Sequence, residues 1–463
     1  MKTHRVLLFF VVSIASLTLL SLLFPRDGIV IAGLRLNFPS PHKVLTAGER
    51  KPKKKVDKPR IDPAELQCIN DSIDYYRSLL FDGDDRLWLP DGRPDFLDSF
   101  FEKADRAKSD KQTLRVLYYG DSQIEMDRIT CLLRQRLQSL FGGSGVGLLP
   151  YSSSVPSLTT KQENTGKVEA RSTFGPASTR DASGMYGPML RSWLVGSQST
   201  VNYSVLKNKR LNDDLNSFST VSVLFDAASD MDVDISNGRG EHRSFHAADG
   251  GLNLFKVSFD TLSRKAKLSF GKQARVYGVM LDADGGVAVD NIAMRGSSGN
   301  KFTDVDYALL SDSYRYLNVG MIVLQFGGNT VPYINDESAV DRYCTQLVKQ
   351  IELIKRACPG VTVVFVGPSD MSKRIDGDYV TYPVLPYLVK RLREMANDNG
   401  VAFWSIFDAM GGEGSMVEWV REGDASSDYV HFSVNGSMKI GQRLSDIIEL
   451  HYRLYLLRKK ISL

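Results

Sequence analysis

The sequence predicts an α/β protein built on a parallel sheet, with an all-β block at residues 151–285 and one membrane-spanning helix at the N-terminus. Continuous apolar strands alternate with amphipathic helices from Leu114 and again after about residue 290, which indicates a parallel sheet covered on both faces. Between these stretches, short strand-like runs are separated by turns of Gly, Asn, Asp and Ser. This pattern predicts an antiparallel β-sandwich inserted into a loop of the α/β rhythm.

Each element follows from the spacing of its apolar residues. A first strand is predicted at 114–119, and the apolar residues after it recur at helical spacing up to Phe141. Further strands are predicted at 321–326, 361–366 and 401–405, and helices at 340–357, at about 385–397 and from Val434. Within the all-β block the predicted strands are 219–225, 231–235, 252–259, 266–270 and 276–281.

The composition is that of a globular protein, with 43% hydrophobic and 24% charged residues among 463. It excludes a wholly disordered, collagen-like or coiled-coil chain, and the length favours two or three domains. The net charge is +4, and residues 51–60 (KPKKKVDKPR) alone carry six basic side chains and one acidic one. The rest of the chain is therefore close to neutral. It lacks the basic face that a nucleic-acid-binding domain shows, so we expect no nucleic-acid partner.

Residues 1–24 predict a signal anchor. The run 6–24 contains no charge and would span about 28 Å as a helix, close to the thickness of a bilayer core. Lys2 and Arg5 precede it, so the rest of the chain is expected on the exported side. A cleaved signal peptide is the alternative, but the run is longer than a usual signal and no small-residue cleavage site follows it closely. The proline- and lysine-rich stretch 25–65 predicts either a tether near anionic headgroups or a solvated spacer.

Several common chemistries lack support in the sequence. The four cysteines show no C-x-x-C spacing, so no structural zinc site is expected. Cys344 and Cys358 would lie about 21 Å apart along one helix, beyond disulfide reach, while other pairings stay open. Motifs for phosphate binding, zinc proteases and the α/β-hydrolase elbow are also missing from the sequence. We therefore expect neither a metal nor a cofactor.

Two short motifs carry the residues for nucleophilic catalysis. Gly120-Asp121-Ser122 ends the first strand, and the carboxyl ends of parallel strands are where such sheets bind ligands. A serine hydroxyl needs a base, and a histidine base needs an acceptor on its other ring nitrogen. Asp428 lies three residues before His431 and can supply that acceptor from a short turn. Each motif alone is also typical of a helix cap, so the interpretation depends on the combination.

Two further segments contain candidate hydrogen-bond donors. Asn329 follows a buried strand in the stretch 326–329 (FGGN), where its amide can donate to an oxyanion. Gly296 closes the stretch 289–296, where the chain returns to the α/β rhythm, and its backbone N–H can be a second donor. The alternatives are an ordinary loop asparagine and a glycine at a domain junction.

Taken in chain order, these four segments resemble the blocks of the SGNH (GDSL-type) hydrolase superfamily. The resemblance implies a flavodoxin-like three-layer α/β/α sandwich. It makes Ser122 the nucleophile, with Asp428 and His431 completing the catalytic triad. The Ser122 N–H, Gly296 and Asn329 would form the oxyanion hole.

The resemblance covers 114–447 apart from the all-β block. A β-sandwich between the first and second blocks is similar to bacterial peptidoglycan O-acetylesterases, as is the stretch 141–150 (FGGSGVGLLP). It implies an inserted jelly-roll or carbohydrate-binding-like domain and a catalytic domain on the periplasmic side of the bacterial cytoplasmic membrane. One departure is Gln123, where those esterases often carry His. The implied domains are the anchor 1–24, the tether 25–65, the catalytic parts 66–150 and 286–463, and the inserted domain 151–285.

Three functions follow as hypotheses. The first is an esterase that removes O-acetyl groups from cell-wall or surface polysaccharide. The second is an O-acetyltransferase with the same triad, supplied by a membrane acyltransferase partner. The third is a non-catalytic glycan-binding protein on an inactive hydrolase core. The third would use a stacking face on the all-β block, for which the candidates are Tyr186, Trp193, Phe245 and Phe255, unless these residues pack in the core.

Overall fold

The computed structural model of the protein describes residues 3–25, 29–31, 34–36, 38, 62–83, 85–213, 215–227, 231–247 and 251–462. It divides into two compact units, Met1–Glu65 with Leu463, and Leu66–Ser462. The first unit contains α1 (Thr3–Leu23) and the antiparallel pair β1 (Ile29–Ile31) and β2 (Leu34–Leu36). Its segment Val6–Leu23 has a mean hydropathy of 2.7 and is long and apolar enough to cross a membrane. The basic run 51–60 lies outside the described residues.

The second unit holds the strands and helices predicted after residue 113, together with several that were not predicted. Its strands are β3 (Leu87–Trp88), β4 (Thr113–Gly120), β5 (Gly145–Leu149), β6 (Thr160–Thr165), β7 (Val168–Ser172), β8 (Arg191–Val195), β9 (Ser199–Val205), β10 (Phe218–Ala227), β11 (Met231–Asn237), β12 (His242–Ala247), β13 (Gly251–Ser263), β14 (Lys265–Phe270), β15 (Ala274–Asp282), β16 (Gly286–Ala293), β17 (Val319–Gln325), β18 (Thr362–Gly367), β19 (Ser372–Ile375), β20 (Asp378–Thr381) and β21 (Ala402–Ser405). The helices after α1 are α2 (Pro63–Phe81), whose first three residues belong to the first unit, α3 (Asp98–Ala107), α4 (Thr130–Phe141), α5 (Tyr307–Tyr316), α6 (Glu337–Ala357), α7 (Leu385–Asp398), α8 (Ile406–Met410), α9 (Ser415–Arg421) and α10 (Val434–Ser462).

The central sheet has the strand order β16-β4-β17-β18-β21-β3. The first five strands are parallel, and β3 adds to the edge antiparallel to β21. Numbered along the chain, the five parallel strands run 2-1-3-4-5, the order of flavodoxin-like sheets. The prediction of a mixed α/β chain is confirmed.

Helices pack on both faces of this sheet. Along β4, Val116 and Tyr118 pack with α3, α4 and α10, whereas Leu117 and Tyr119 pack with α5, α6 and α7 on the other face. The alternation is the two-residue period of a strand. Because both faces are covered, the four residues are fully buried, which explains the uninterrupted apolar run in the sequence.

Two antiparallel sheets lie between β4 and β16 in the chain. One has the order β13-β10-β15-β8-β7 with β5 paired to β15, and the other has the order β12-β11-β14-β9-β6. Tyr186 and Trp193 are buried in the core, so the core-packing alternative holds for them and they offer no stacking face. Phe245 and Phe255 stack on each other, with ring centroids 4.5 Å apart, and pack against the same core. Large apolar rings are more strongly stabilised by burial than by exposure, which accounts for this outcome.

A buried ionic cluster joins the central sheet to the sheet that contains β5 and β15. Arg115 of β4 pairs with Asp290 of β16 at 2.9 Å and with Asp282 at the end of β15. Asp290 also accepts a hydrogen bond from the backbone N–H of Leu148 in β5, at 2.7 Å. Since buried charges are costly unless paired, each of these groups depends on the others.

Candidate active site

The parallel register brings three loops to one edge of the central sheet. Gly120, the last residue of β4, is in register with Ala293 of β16 and Gln325 of β17. The Met294 N–H donates to the Gly120 carbonyl at 2.8 Å, which ties the loop after β16 to the loop after β4. The segments that carry Ser122, Gly296 and Asn329 therefore start from neighbouring strand ends.

Ser122 lies at the start of a tight turn directly after β4. Asp121 caps this 3₁₀ turn, Ser122–Asp127, by accepting a hydrogen bond from the Gln123 N–H at 2.9 Å. Gly120 precedes it, and a Cβ at this position would lie 3.0 Å from Ile124 Cδ1, closer than side chains normally approach. The short side chains of this motif thus let the turn close tightly and hold the Ser122 hydroxyl at the sheet edge.

Ser122, His431 and Asp428 form a continuous hydrogen-bonded chain. Ser122 Oγ lies 2.9 Å from His431 Nε2, and His431 Nδ1 lies 2.8 Å from Asp428 Oδ2. A carboxylate only accepts, so Nδ1–H donates to Asp428 and Nε2 is left to accept from the Ser122 hydroxyl. Burial raises the pKa of Asp428, but hydrogen bonds from the His431 and Val430 groups outweigh it and bring this pKa below its ordinary value. Asp428 therefore stays ionised next to the imidazole.

The loop that presents His431 has a strained residue at its centre. Tyr429 has a φ of 57°, which is unusual for a bulky side chain and costs about 1–3 kcal/mol. The hairpin β19–β20 holds it in place, because the Ser372 N–H donates to the Tyr429 carbonyl at 3.0 Å and the Tyr379 ring stacks on the Tyr429 ring at 3.6 Å. This conformation lets Asp428 fold back onto His431 within three residues.

Gly296 and Asn329 are brought together by one hydrogen bond. The Asn329 side-chain amide donates to the carbonyl of Ser297, the neighbour of Gly296, at 3.2 Å. Gly296 has a φ of +77°, a conformation that favours glycine, and its N–H has no acceptor among the described residues. The same amide also hydrogen-bonds to Asp121, so it would donate to an oxyanion by exchanging one of these two partners. Both candidate donors thus lie in the loops that follow the strands flanking β4.

Asp121 is fully buried directly before Ser122. Burial raises its pKa to about 6, although hydrogen bonds from the Gln123 N–H and Asn329 and the charges of His431 and Arg128 oppose the shift. No ion pair compensates this carboxyl within the described part of the chain. The role of Asp121 in the Gly-Asp-Ser motif is thus structural: Asp121 caps the Ser122 turn and contacts Asn329 at the same time.

Sequence reasoning missed two residues that connect the nucleophile turn to the histidine loop. The buried Gln123 amide donates to the Val430 carbonyl at 2.7 Å and accepts from the Phe432 N–H at 3.3 Å, so it binds the backbone on both sides of His431. Arg128 donates to the carbonyls of Ser122, Gln123 and Phe432 at 2.7, 3.1 and 3.1 Å. Gln123 was visible only as a departure from the family pattern. Arg128 has no local signal in the sequence.

The arrangement is suited to acyl transfer. It combines a hydroxyl, a base that can take its proton and an acidic group that orients the base. Among the residues that the structure describes, no group of three or more His, Cys, Asp or Glu side chains is placed to hold a metal ion. The four cysteines are free thiols, and Cys131 and Cys344 are buried.

Comparison with known proteins gives a fold and no closer relationship. No protein-family model and no curated protein sequence matches the chain. The structure is similar to a solved peptidoglycan O-acetylesterase, with a TM-score of 0.63 and 18% sequence identity over 78% of this chain and 97% of that one. Matches also include a family two carbohydrate esterase from Cellvibrio japonicus (TM-score 0.26, 9% identity, 64% of this chain and 99% of that one) and an acetyl xylan esterase (TM-score 0.28, 14%, 35% and 81%). The similarity to the peptidoglycan O-acetylesterase, the only one of these three with a TM-score above 0.5, confirms the predicted resemblance at the level of the fold.

Proposed function

We propose that the protein is a serine esterase that removes O-acetyl groups from cell-wall or surface polysaccharide. The single observation that carries the proposal is the hydrogen-bonded chain from Ser122 through His431 to Asp428, with distances of 2.9 and 2.8 Å. Its position at the carboxyl edge of a parallel sheet supports a substrate-binding role. The peptidoglycan O-acetylesterase with a similar fold supports the choice of an acetylated glycan as substrate.

The proposed mechanism has two steps. In the first, Ser122 Oγ attacks the acetyl carbonyl while His431 Nε2 takes the hydroxyl proton. The N–H groups of Ser122 and Gly296 and the amide of Asn329 then stabilise the oxyanion, and loss of one such donor typically costs about 10²–10³ in rate. The imidazolium returns its proton to the sugar oxygen as the ester C–O bond breaks. In the second step, water attacks the acetyl-enzyme with His431 as base, and acetate is released.

The proposal also assigns the larger architecture. The central sheet with its helices is the SGNH sandwich, made of residues 66–150 and 286–463, and the all-β block at 151–285 is an inserted carbohydrate-binding-like domain. Residues 1–24 anchor the chain in the cytoplasmic membrane of a bacterium, and 25–65 tether the esterase on the periplasmic side. The apolar helix α1 supports the anchor. The insertion is supported by the position of two antiparallel sheets between β4 and β16 in the chain.

Released acetate tests the proposal directly. The purified chain is incubated with O-acetylated peptidoglycan and with other acetylated glycans, and acetate is measured against a Ser122→Ala variant. We expect acetate from at least one glycan, labelling of Ser122 by a fluorophosphonate, and loss of both in the variant. Equal acetate release by Ser122→Ala would exclude this serine as the nucleophile. Mass spectrometry of added acceptor sugars in the same reaction tests the transferase hypothesis, which requires an acetylated product.

A further inference from the structure

Arg191 is a cation of the all-β block that stacks on an aromatic ring and forms no ion pair with any residue that the structure describes. Arg191 begins β8, and its guanidinium carbon lies 4.2 Å from the centre of the buried Phe174 ring. Among the described residues, no carboxylate forms an ion pair with Arg191 and no oxygen accepts a hydrogen bond from it. Burial lowers the pKa of Arg191 to about 10, so it remains charged at neutral pH. The Arg191 side chain is half-buried, and its nitrogens are not among the buried polar atoms that lack a partner, so its five N–H donors are open to water or to a ligand.

The segment that carries Arg191 is bound to the strand that leads to Ser122. The segment before it is tied to β4, because the Tyr119 hydroxyl donates to the Pro188 carbonyl at 2.6 Å. Tyr119 is three residues before Ser122. On the other side, Arg191 lies in the field of Glu125, three residues after Ser122. The β8 end of the all-β block therefore faces the nucleophile turn.

The charges around Arg191 indicate which kind of anion it would bind. Glu125 is almost fully buried and pairs with Arg295 at 2.6 Å, next to Gly296. Because Glu125 is already paired with Arg295, it is not a dedicated partner for Arg191. The planar guanidinium fork matches a carboxylate in bidentate geometry, and its stacking on Phe174 fixes the plane of the fork in advance.

We propose that Arg191 is a carboxylate-binding subsite, so that the preferred substrates are O-acetylated glycans with a carboxylate on the acetylated sugar or its neighbour. This inference rests on the proposed esterase function. The carboxylate can belong to a uronic acid or to the lactyl or peptide part of a muropeptide, and both present the same group to Arg191. Binding it would place the acetyl ester at Ser122 and would use the all-β block to select the substrate.

The test compares substrates that differ in charge. Acetate release is measured on acetylated uronic-acid oligosaccharides, O-acetylated muropeptides, neutral acetylated xylo-oligosaccharides and p-nitrophenyl acetate. For Arg191→Gln we expect kcat/KM to fall about 10–100-fold on at least one carboxylated substrate, mainly through KM, and to stay within about twofold on the two neutral ones. Which carboxylated substrate responds identifies the source of the carboxylate. A matched control is Arg171→Gln on the neighbouring strand β7, because Arg171 already pairs with Glu169 at 2.7 Å and should affect no substrate.

Two outcomes would overturn the inference. One is unchanged kcat/KM on both carboxylated substrates, and the other is an equal loss on charged and neutral substrates, which would indicate a structural role. If Arg191→Gln does not fold, Arg191→Lys replaces it, since this variant keeps the charge and loses the bidentate geometry. Calorimetry with deacetylated acidic and neutral oligosaccharides on the wild-type chain tests the subsite without catalysis. Selective binding of the acidic compound would support the subsite even if no acetate is ever released, and absence of that selectivity would refute it.

Discussion

Replacing Gln123 with Leu should displace His431 while leaving its imidazole chemically intact. The Gln123 side chain is only 8% exposed and bonds to the Val430 carbonyl at 2.7 Å and to the Phe432 N–H at 3.3 Å. Leu has a similar size and forms neither bond. Two backbone groups then lose their partners at a cost of about 1–3 kcal/mol each, so the free energy of unfolding should fall by about 2–6 kcal/mol. The histidine loop would no longer be fixed against the Ser122 turn.

The assay combines denaturant unfolding with the kinetics of p-nitrophenyl acetate hydrolysis. We expect kcat to fall at least tenfold, because a misplacement of about 1 Å costs up to about 10²-fold, while KM for this small ester changes little. Gln135→Leu is the matched control. Gln135 makes the same pair of bonds to the Asn212 backbone, at 3.0 and 2.9 Å, in an exposed position where water can replace them. If Gln123→Leu loses no more stability and activity than Gln135→Leu, our account of the histidine loop is incorrect.

Three further predictions concern the same site. Asp121→Asn should flatten the pH dependence of stability. The pKa of Asp121 is raised from 3.8 to about 6, so ionisation of its carboxyl destabilises the fold as the pH rises through this interval. In thermal or denaturant unfolding, the variant should therefore gain up to about 3 kcal/mol relative to wild type between pH 3.5 and 7. Asp428→Asn should lower kcat about 10²–10⁴-fold with little change in melting temperature, and a loss below fivefold in steady-state assays would argue against its orienting role. Asn329→Ala should lower kcat about 10²–10³-fold. The same loss in KM rather than in kcat would place Asn329 in ground-state binding instead.

Most strands of the central sheet were predicted from the sequence because they are buried on both faces, although the equally buried β16 was missed. Strand β4 and the helix α6 were found within a few residues of their bounds because apolar residues repeat at the period of the element. The strands β6 and β7 were missed. Their residues are mostly exposed and polar, as in Thr160–Thr165, so they are held by pairing to β9 and β8 rather than by a pattern of their own.

In the candidate site, only residues that belong to a recognisable local sequence motif could be predicted. Ser122 and His431 were found because a hydroxyl and an imidazole with a nearby carboxylate are rare in this pattern, and the structure brings them within hydrogen-bond distance. Arg128 and Arg191 were not found, since arginine is common and neither residue differs from a surface arginine in the sequence. Their importance arises from contacts with segments that are distant in the chain, which only the fold supplies.

The cluster of Arg115 with Asp282 and Asp290 bears on how this architecture can be rearranged. A graft that exchanges residues 151–285 for another β-sandwich would remove Asp282 and leave the arginine with half of its counter-charge in a dry interior. Recombination between related chains should therefore succeed only where the donor brings its own acidic residue at the end of β15 or where Arg115 changes with it. The central sheet and the all-β block are separate in strand order, but this buried cluster means that they are inherited together.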